Sequence, residues 1–174
     1  MKLNKIMAAA VVALGITSVA HAANQGSGQV TFSGSIIDAP CSISPESVDQ
    51  TVELGQVSNS LLKKGGKSTM KPFTIQLENC EIEEGKNKVS VTFTGVESED
   101  LEGMLDINGS ASGAAVAIAD KAGKLLKLGE SSQAVDVAEG STKLTFNAYL
   151  QGVGTSDVVP GDFTSVAEFQ MAYQ

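Results

Sequence analysis

Apolar and polar positions alternate with a period of two in several short runs of this chain. Phe73, Ile75 and Leu77 alternate with Thr74, Gln76 and Glu78; Val89, Val91 and Phe93 alternate with Ser90, Thr92 and Thr94. Leu144, Phe146 and Ala148 alternate with Thr145, Asn147 and Tyr149. Each run predicts a strand with one face in a core. Residues 114–118 are apolar at both parities and predict a buried central strand. Between the runs lie Glu84-Gly85-Lys86-Asn87, Asn108-Gly109, Asp120 to Gly123 and Pro160-Gly161-Asp162, all turn formers. Only residues 58–64, followed by Gly65-Gly66, predict a helical turn or two. Short strands separated by such turns predict an all-β sandwich.

Two further runs sit at the ends. Val30, Phe32, Gly34 and Ile36 fall on one face of an extended segment, about 6.6 Å apart. A Gly-rich polar lead, residues 23–29, precedes them and reads as flexible. Glycine is disfavoured inside a strand unless another backbone must come close, so Gly34 is informative. At the other end Ala167, Phe169, Met171 and Tyr173 share a face and the sequence stops at Gln174. An apolar edge strand is an aggregation hazard unless something covers it. A loose strand at one end and an unfinished edge at the other predict an interaction protein that completes its fold with another chain.

The first residues change the compartment. Lys2 and Lys5 precede an apolar run from Ile6 to Ile16, and Ala20-His21-Ala22 is a small-x-small cleavage site. This predicts a secretory signal over residues 1–22, cut between Ala22 and Ala23. The apolar run is shorter than the ~20 residues a membrane-spanning helix needs. Export places Cys41 and Cys80 in an oxidising compartment, where a disulfide is the expected state. Closing a loop of about 40 residues is worth roughly 4 kcal/mol on a loop-entropy argument.

The chain carries a formal net charge of −8 and no arginine. Losing Lys2 and Lys5 with the signal brings this to about −10 at reference side-chain pKa values. Nucleic-acid binding needs clustered cations and favours arginine, so the composition argues strongly against that class. Lys63, Lys64, Lys67 and Lys71 form one charged group; Glu78, Glu81, Glu83 and Glu84 form another, and Glu97, Glu99, Asp100 and Glu102 a third. These read as solvated loops, with attraction between opposite patches on successive copies as the alternative.

Catalytic chemistry finds little footing. The one histidine, His21, leaves with the signal, so no Ser-His or Cys-His dyad remains. No His/Cys set suits zinc, and no Gly-rich phosphate loop opens a helix. Asp106 to Gly109 lacks the rest of a calcium-loop spacing. The expectation is no enzyme, no cofactor and no metal.

The order of these features resembles the subunits of chaperone–usher fimbriae, especially the major pilins of P-pilus-like and type 1-like fibres. The resemblance rests on the signal, on Val30-Thr31-Phe32-Ser33-Gly34, on residues 38–43 around Cys41, and on Leu77-Glu78-Asn79-Cys80. It also rests on the penultimate Tyr173 and on Gly161 fourteenth from the end. It covers essentially the whole mature chain; each motif is weak alone, and their order and spacing are specific. It implies an incomplete immunoglobulin-like β-sandwich lacking its last strand, with an open apolar groove. It further implies a periplasmic chaperone that fills the groove and an outer-membrane usher. There the extension of a neighbouring copy, or of another pilus subunit, replaces the chaperone's strand. On this reading residues 23–36 are the donor extension, with Val30, Phe32 and Ile36 inserting and Gly34 allowing close approach. Residues 37–174 form the pilin domain. Ala167, Phe169, Met171, Tyr173 and Gln174 form the groove and chaperone contact, and Gly161 turns the chain into the last strand. The product is an extracellular fimbrium that supports adhesion. A minor adaptor of the same fibre and a secreted carbohydrate-binding sandwich are the alternatives. The chain has no Trp and only two Tyr, which argues against the latter.

Overall fold

The structure, a computed structural model, describes residues 27–155 and 157–174. The signal segment and its junction at Ala22 and Ala23 lie outside the described residues. The chain divides into two units, residues 1–36 and residues 37–174. Among the described residues of the first, 27–36, there is no helix and no strand.

The second unit is nearly all strand. In chain order it runs β1 (Ser42–Ile43), α1 (Pro45–Val48), α2 (Asn59–Leu62), a 3₁₀ turn (Lys63–Gly65), β2 (Lys71–Cys80), β3 (Lys88–Gly95) and β4 (Asn108–Gly109). It continues with β5 (Ala114–Ala119), β6 (Val135–Asp136), β7 (Gly140–Gly152), β8 (Phe163–Thr164) and β9 (Ala167–Tyr173). One sheet has the order β1-β2-β7-β5, a second β6-β3-β9, and β4 pairs with β8 in a third. Every strand pairing is antiparallel.

The alternation in the sequence is what builds the layers. In β2, Ile75 and Leu77 turn inward; in β3, Val89, Val91 and Phe93; in β7, Leu144 and Phe146, and all are buried. They meet in one core to which both larger sheets contribute. Phe93 of the second sheet stacks edge-on against Phe146 of the first, with ring centroids 5.0 Å apart, and lies 6.1 Å from Phe73. Such pairs add to the burial term, which is about 1.5–3 kcal/mol for each large apolar side chain.

The disulfide Cys41–Cys80, 39 positions apart, ties the start of this unit to the end of β2. Close by, Asn79 has φ 52, and the β2–β7 register shifts between Glu78 and Cys80. Asn tolerates the left-handed region better than most residues, which suits a bulge.

Two local expectations change and a third holds. Residues 114–118 are buried on both faces, but β5 ends its sheet; the interior strands are β2 and β7. On the outer face of β5, Ala115, Ala117 and Ala119 join Met104 and Tyr149 in a separate cluster. Its free edge is met by the backbone of Leu105, which exchanges two hydrogen bonds with Val116. Asn108-Gly109 is strand β4 and not a turn, because Gly109 lets the carbonyl of Asp162 approach where a Cβ would collide. The expected helical turn is present as α2 and the 3₁₀ turn, with Ser58 Oγ accepting from the Ser60 N–H.

Candidate functional site

Strand β9 has a single neighbour among the described residues. It pairs along its whole length with β3, from Val89 opposite Tyr173 to Gly95 opposite Ala167, and its other edge faces no strand. The side chains of Phe169, Met171 and Tyr173 are half-buried and pack on the core, while Ala167, Glu168, Gln170, Ala172 and Gln174 are exposed. The Phe169 ring lies 6.4 Å from that of Phe93, and the Tyr173 hydroxyl points at Met171 Sδ, 3.9 Å away. Burial pushes the Tyr173 hydroxyl pKa up from its ordinary value.

The hydrogen-bond phase of this pair fixes what the open edge offers. Just past β9, the N–H of Lys88 donates to the Gln174 carbonyl at 2.8 Å, and the N–H of Gln174 donates to the Lys88 carbonyl at 2.9 Å. Lys88 and Gln174 are therefore a hydrogen-bonded pair, and in an antiparallel ladder such pairs alternate with non-bonded ones. Along the same register Ala172, Gln170 and Glu168 bond to β3. Ala167, Phe169, Met171 and Tyr173 then direct their N–H and C=O groups to the open side. The residues whose side chains face the core on β9 are thus the ones whose backbone is free to pair.

The N-terminal segment has the converse properties. Val30 is 74 % exposed, Phe32 90 % and Ile36 104 %, and nothing lies within 4 Å of where a Gly34 Cβ would sit. The sequence predicts a strand here, and the structure shows none. A single extended segment has no ladder to offset the entropy of ordering it, which is about 1–2 kcal/mol per residue.

Gly161 lies before β8 rather than directly before β9. Its φ is outside the left-handed region. What demands glycine is crowding: a Cβ would sit against Ser110 Oγ and 2.6 Å from the Ala111 nitrogen. Asp162 beside it is held by the N–H groups of Ser110 and Ala111, at 2.9 and 3.2 Å.

One region that the pattern did not single out also packs on the core. Residues 51–57 form no strand, yet Val52, Leu54 and Val57 are half-buried, and Leu54 and Val57 pack on the core. Val52 and Leu54 alternate with Thr51 and Glu53, a signal that Gly55-Gln56 cuts short. Leu54, Val57 and Leu61 also line a shallow depression that contains no β9 residue. Among the described residues no acidic, His or Cys cluster suits a metal, and no helix is long and apolar enough to cross a membrane.

An all-β sandwich with one open apolar edge, preceded by an unpaired apolar segment, is a domain suited to joining through an added strand. The chain belongs to the fimbrial protein family, whose model matches residues 30–174. It is 55 % identical to the Fimbria A protein of Serratia marcescens and 52 % to the Major MR/P fimbria protein of Proteus mirabilis, over all of this chain and all of each relative. Among solved structures it is similar to the P pilus rod subunit PapA, at 33 % identity and a TM-score of 0.70, covering 78 % of this chain and all of that one. A subunit from the structure of a chaperone–usher pilus matches at 35 % identity and 0.73, covering 86 % and 97 %. The fold is accordingly the immunoglobulin-like sandwich of fimbrial subunits, and the chain is a structural subunit of extracellular fimbriae.

Proposed function

We propose that this chain is the major rod subunit of a chaperone–usher fimbria, and that its copies join by donating residues 30–36 of one to the open edge of β9 in the next. Donor-strand complementation of pilins is itself a known form of β-augmentation. One observation carries the reading here: Phe169, Met171 and Tyr173 present core-facing side chains and unpaired backbone groups at the same positions. An antiparallel donor with its apolar residues inward meets both needs at once.

Size selects the register among those of correct parity. Val30 opposite Tyr173, Phe32 opposite Met171, Gly34 opposite Phe169 and Ile36 opposite Ala167 sets the residue without a side chain against the large Phe169 ring. Burying Val30, Phe32 and Ile36 is worth about 1.5–3 kcal/mol each, set against the cost of ordering the segment. Residues 1–22 are the export signal, cleaved at Ala22–Ala23; residues 23–36 are the extension and 37–174 the pilin domain. Before assembly a periplasmic chaperone covers the β9 edge, with its cations on the Gln174 carboxylate, and the outer-membrane usher exchanges that strand for the extension. The role is structural rather than catalytic.

Phe32→Asp in the full chain, expressed with its secretion machinery, tests this. A buried, unpaired carboxylate is strongly disfavoured, so fibres should be lost while the subunit still accumulates in the periplasm. Fibres of normal number and length from this variant would refute the donor role.

A further inference from the structure

We infer that successive copies also meet body to body: Ile37 and Ile82 of the donating copy seat on Val96 and Val166 of the receiving copy. This rests on the donor-strand reading and specifies what that reading leaves open, the contact between folded domains.

The two ends of the domain explain why. The root of the extension is fixed at one end. Lys86 Nζ donates to Asp38 at 2.7 Å, and the Glu81 N–H donates to the Pro40 carbonyl at 2.9 Å. Lys86 leads directly into β3, whose first residue Lys88 bonds Gln174. The root and the end of β9 therefore lie at the same end. Ile37, 59 % exposed, and Ile82, 54 % exposed, belong to this end.

At the opposite end β3 and β9 part after the Gly95–Ala167 pair. The next residues at that end are Val96 and Val166, 73 % and 77 % exposed. Single exposed valines need no explanation. Two at the end where the open edge begins are a patch in a particular place.

A donor running antiparallel to β9 starts near Tyr173 and ends with Ile36 near Ala167. Antiparallel is the sense of every pairing in this domain. A parallel donor would bring its body to the end from which the receiving copy's own extension departs. Only one peptide link separates Ile36 from Ile37, a step of about 3.3 Å in extended chain. The donating domain has no slack and must abut the Val96–Val166 end. Each copy thus presents a root at one end and a seat at the other. Contacts of that heterologous kind propagate without closing when the rotation between copies does not form a ring.

Cross-linking tests the contact. In assembled fibres of the full chain, Ile82→Cys with Val166→Cys, mildly oxidised and boiled in detergent without reductant, should give a ladder of multimers that reductant collapses to monomer. Ile82→Cys with Val135→Cys, both at the root end, should give none. Fibres without a ladder, or equal ladders from both pairs, would overturn the contact while leaving strand donation intact. Normal fibres from Phe32→Asp would instead remove strand donation itself. If the cysteine pair prevents assembly, Val96→Ser with Val166→Ser decides. Reduced fibre yield at an unchanged urea midpoint of the subunit supports the contact, and wild-type yield rejects it.

Discussion

Residues 30–36 and residues 167–173 have nearly the same construction and opposite behaviour. Both are seven residues long, with apolar or small side chains at every second position. The later run pairs with β3 along one edge and sinks Phe169, Met171 and Tyr173 half-way into the core. The earlier run has no ladder and leaves Phe32 90 % exposed. The difference lies outside the two segments. Strand β9 finds a neighbour in its own domain, and the extension does not. A strand is stable only as part of a sheet of several strands or against another packed element. One run is therefore part of the fold, and the other is material for a fold completed elsewhere.

The sharpest way to break that comparison is to damage each run in turn. Phe169→Ser with Tyr173→Ser removes two rings from the core and should cost the subunit on the order of 2–4 kcal/mol of stability. Its urea midpoint should fall, and its periplasmic level with it. The extension lies outside the core, so Phe32→Asp should leave the same midpoint where it was. A shared loss of stability would mean that the extension folds onto its own domain, and the contrast between the two runs would collapse.

Much of this was legible beforehand because burial of one sheet face imposes alternation. Residues 73–77, 89–93 and 144–148 each lie in a strand with the expected face inward. The inward face of β9 was legible for the same reason, and two cysteines in an exported chain implied their bond. The unfinished edge at 167–173 was legible too; that β3 is the strand on its paired side was not, since sheet order is a property of the assembled domain. The need for glycine at 161 was hidden likewise: it arises from Ser110 and Ala111, some fifty positions away in sequence. Residues 51–57 escaped because half-burial without a ladder leaves only a two-residue alternation. Helix α1 escaped because four residues are too few to show a period.

A smaller effect sharpens the contrast at one atom. Gly34 has nothing within 4 Å of its Cβ direction, so Gly34→Val should leave the isolated subunit's stability unchanged. In the joint the same change adds an isopropyl group opposite Phe169. Overpacking of this kind costs about 1–3 kcal/mol. Fibres should be fewer or should release subunits at lower denaturant, measured as depolymerisation against urea concentration. An unchanged depolymerisation curve would rule out the Gly34–Phe169 register, leaving a shift of two residues as the remaining choice.

The smallest effect lies at the boundary between the two runs. The Lys86 ammonium donates to Asp38 and holds that carboxyl below its ordinary value; Asp38 in turn raises Lys86. Both groups are at the surface, where an ion pair contributes little and salt screens it. A carboxyl whose folded pKa is depressed contributes above its unfolded value, near 3.8, and that contribution is lost as pH falls through the folded pKa. The loss therefore comes only on acidification below about 4, the ordinary carboxyl range. At neutral pH Asp38→Asn should loosen the root without unfolding the domain. Hydrogen exchange reads this directly, because the Glu81 N–H is held by the Pro40 carbonyl two residues beyond Asp38. Its protection should fall in the variant, while amides of β3 facing β9 keep theirs. Equal protection of Glu81 in both proteins would show that the disulfide Cys41–Cys80 alone fixes where the extension leaves the domain.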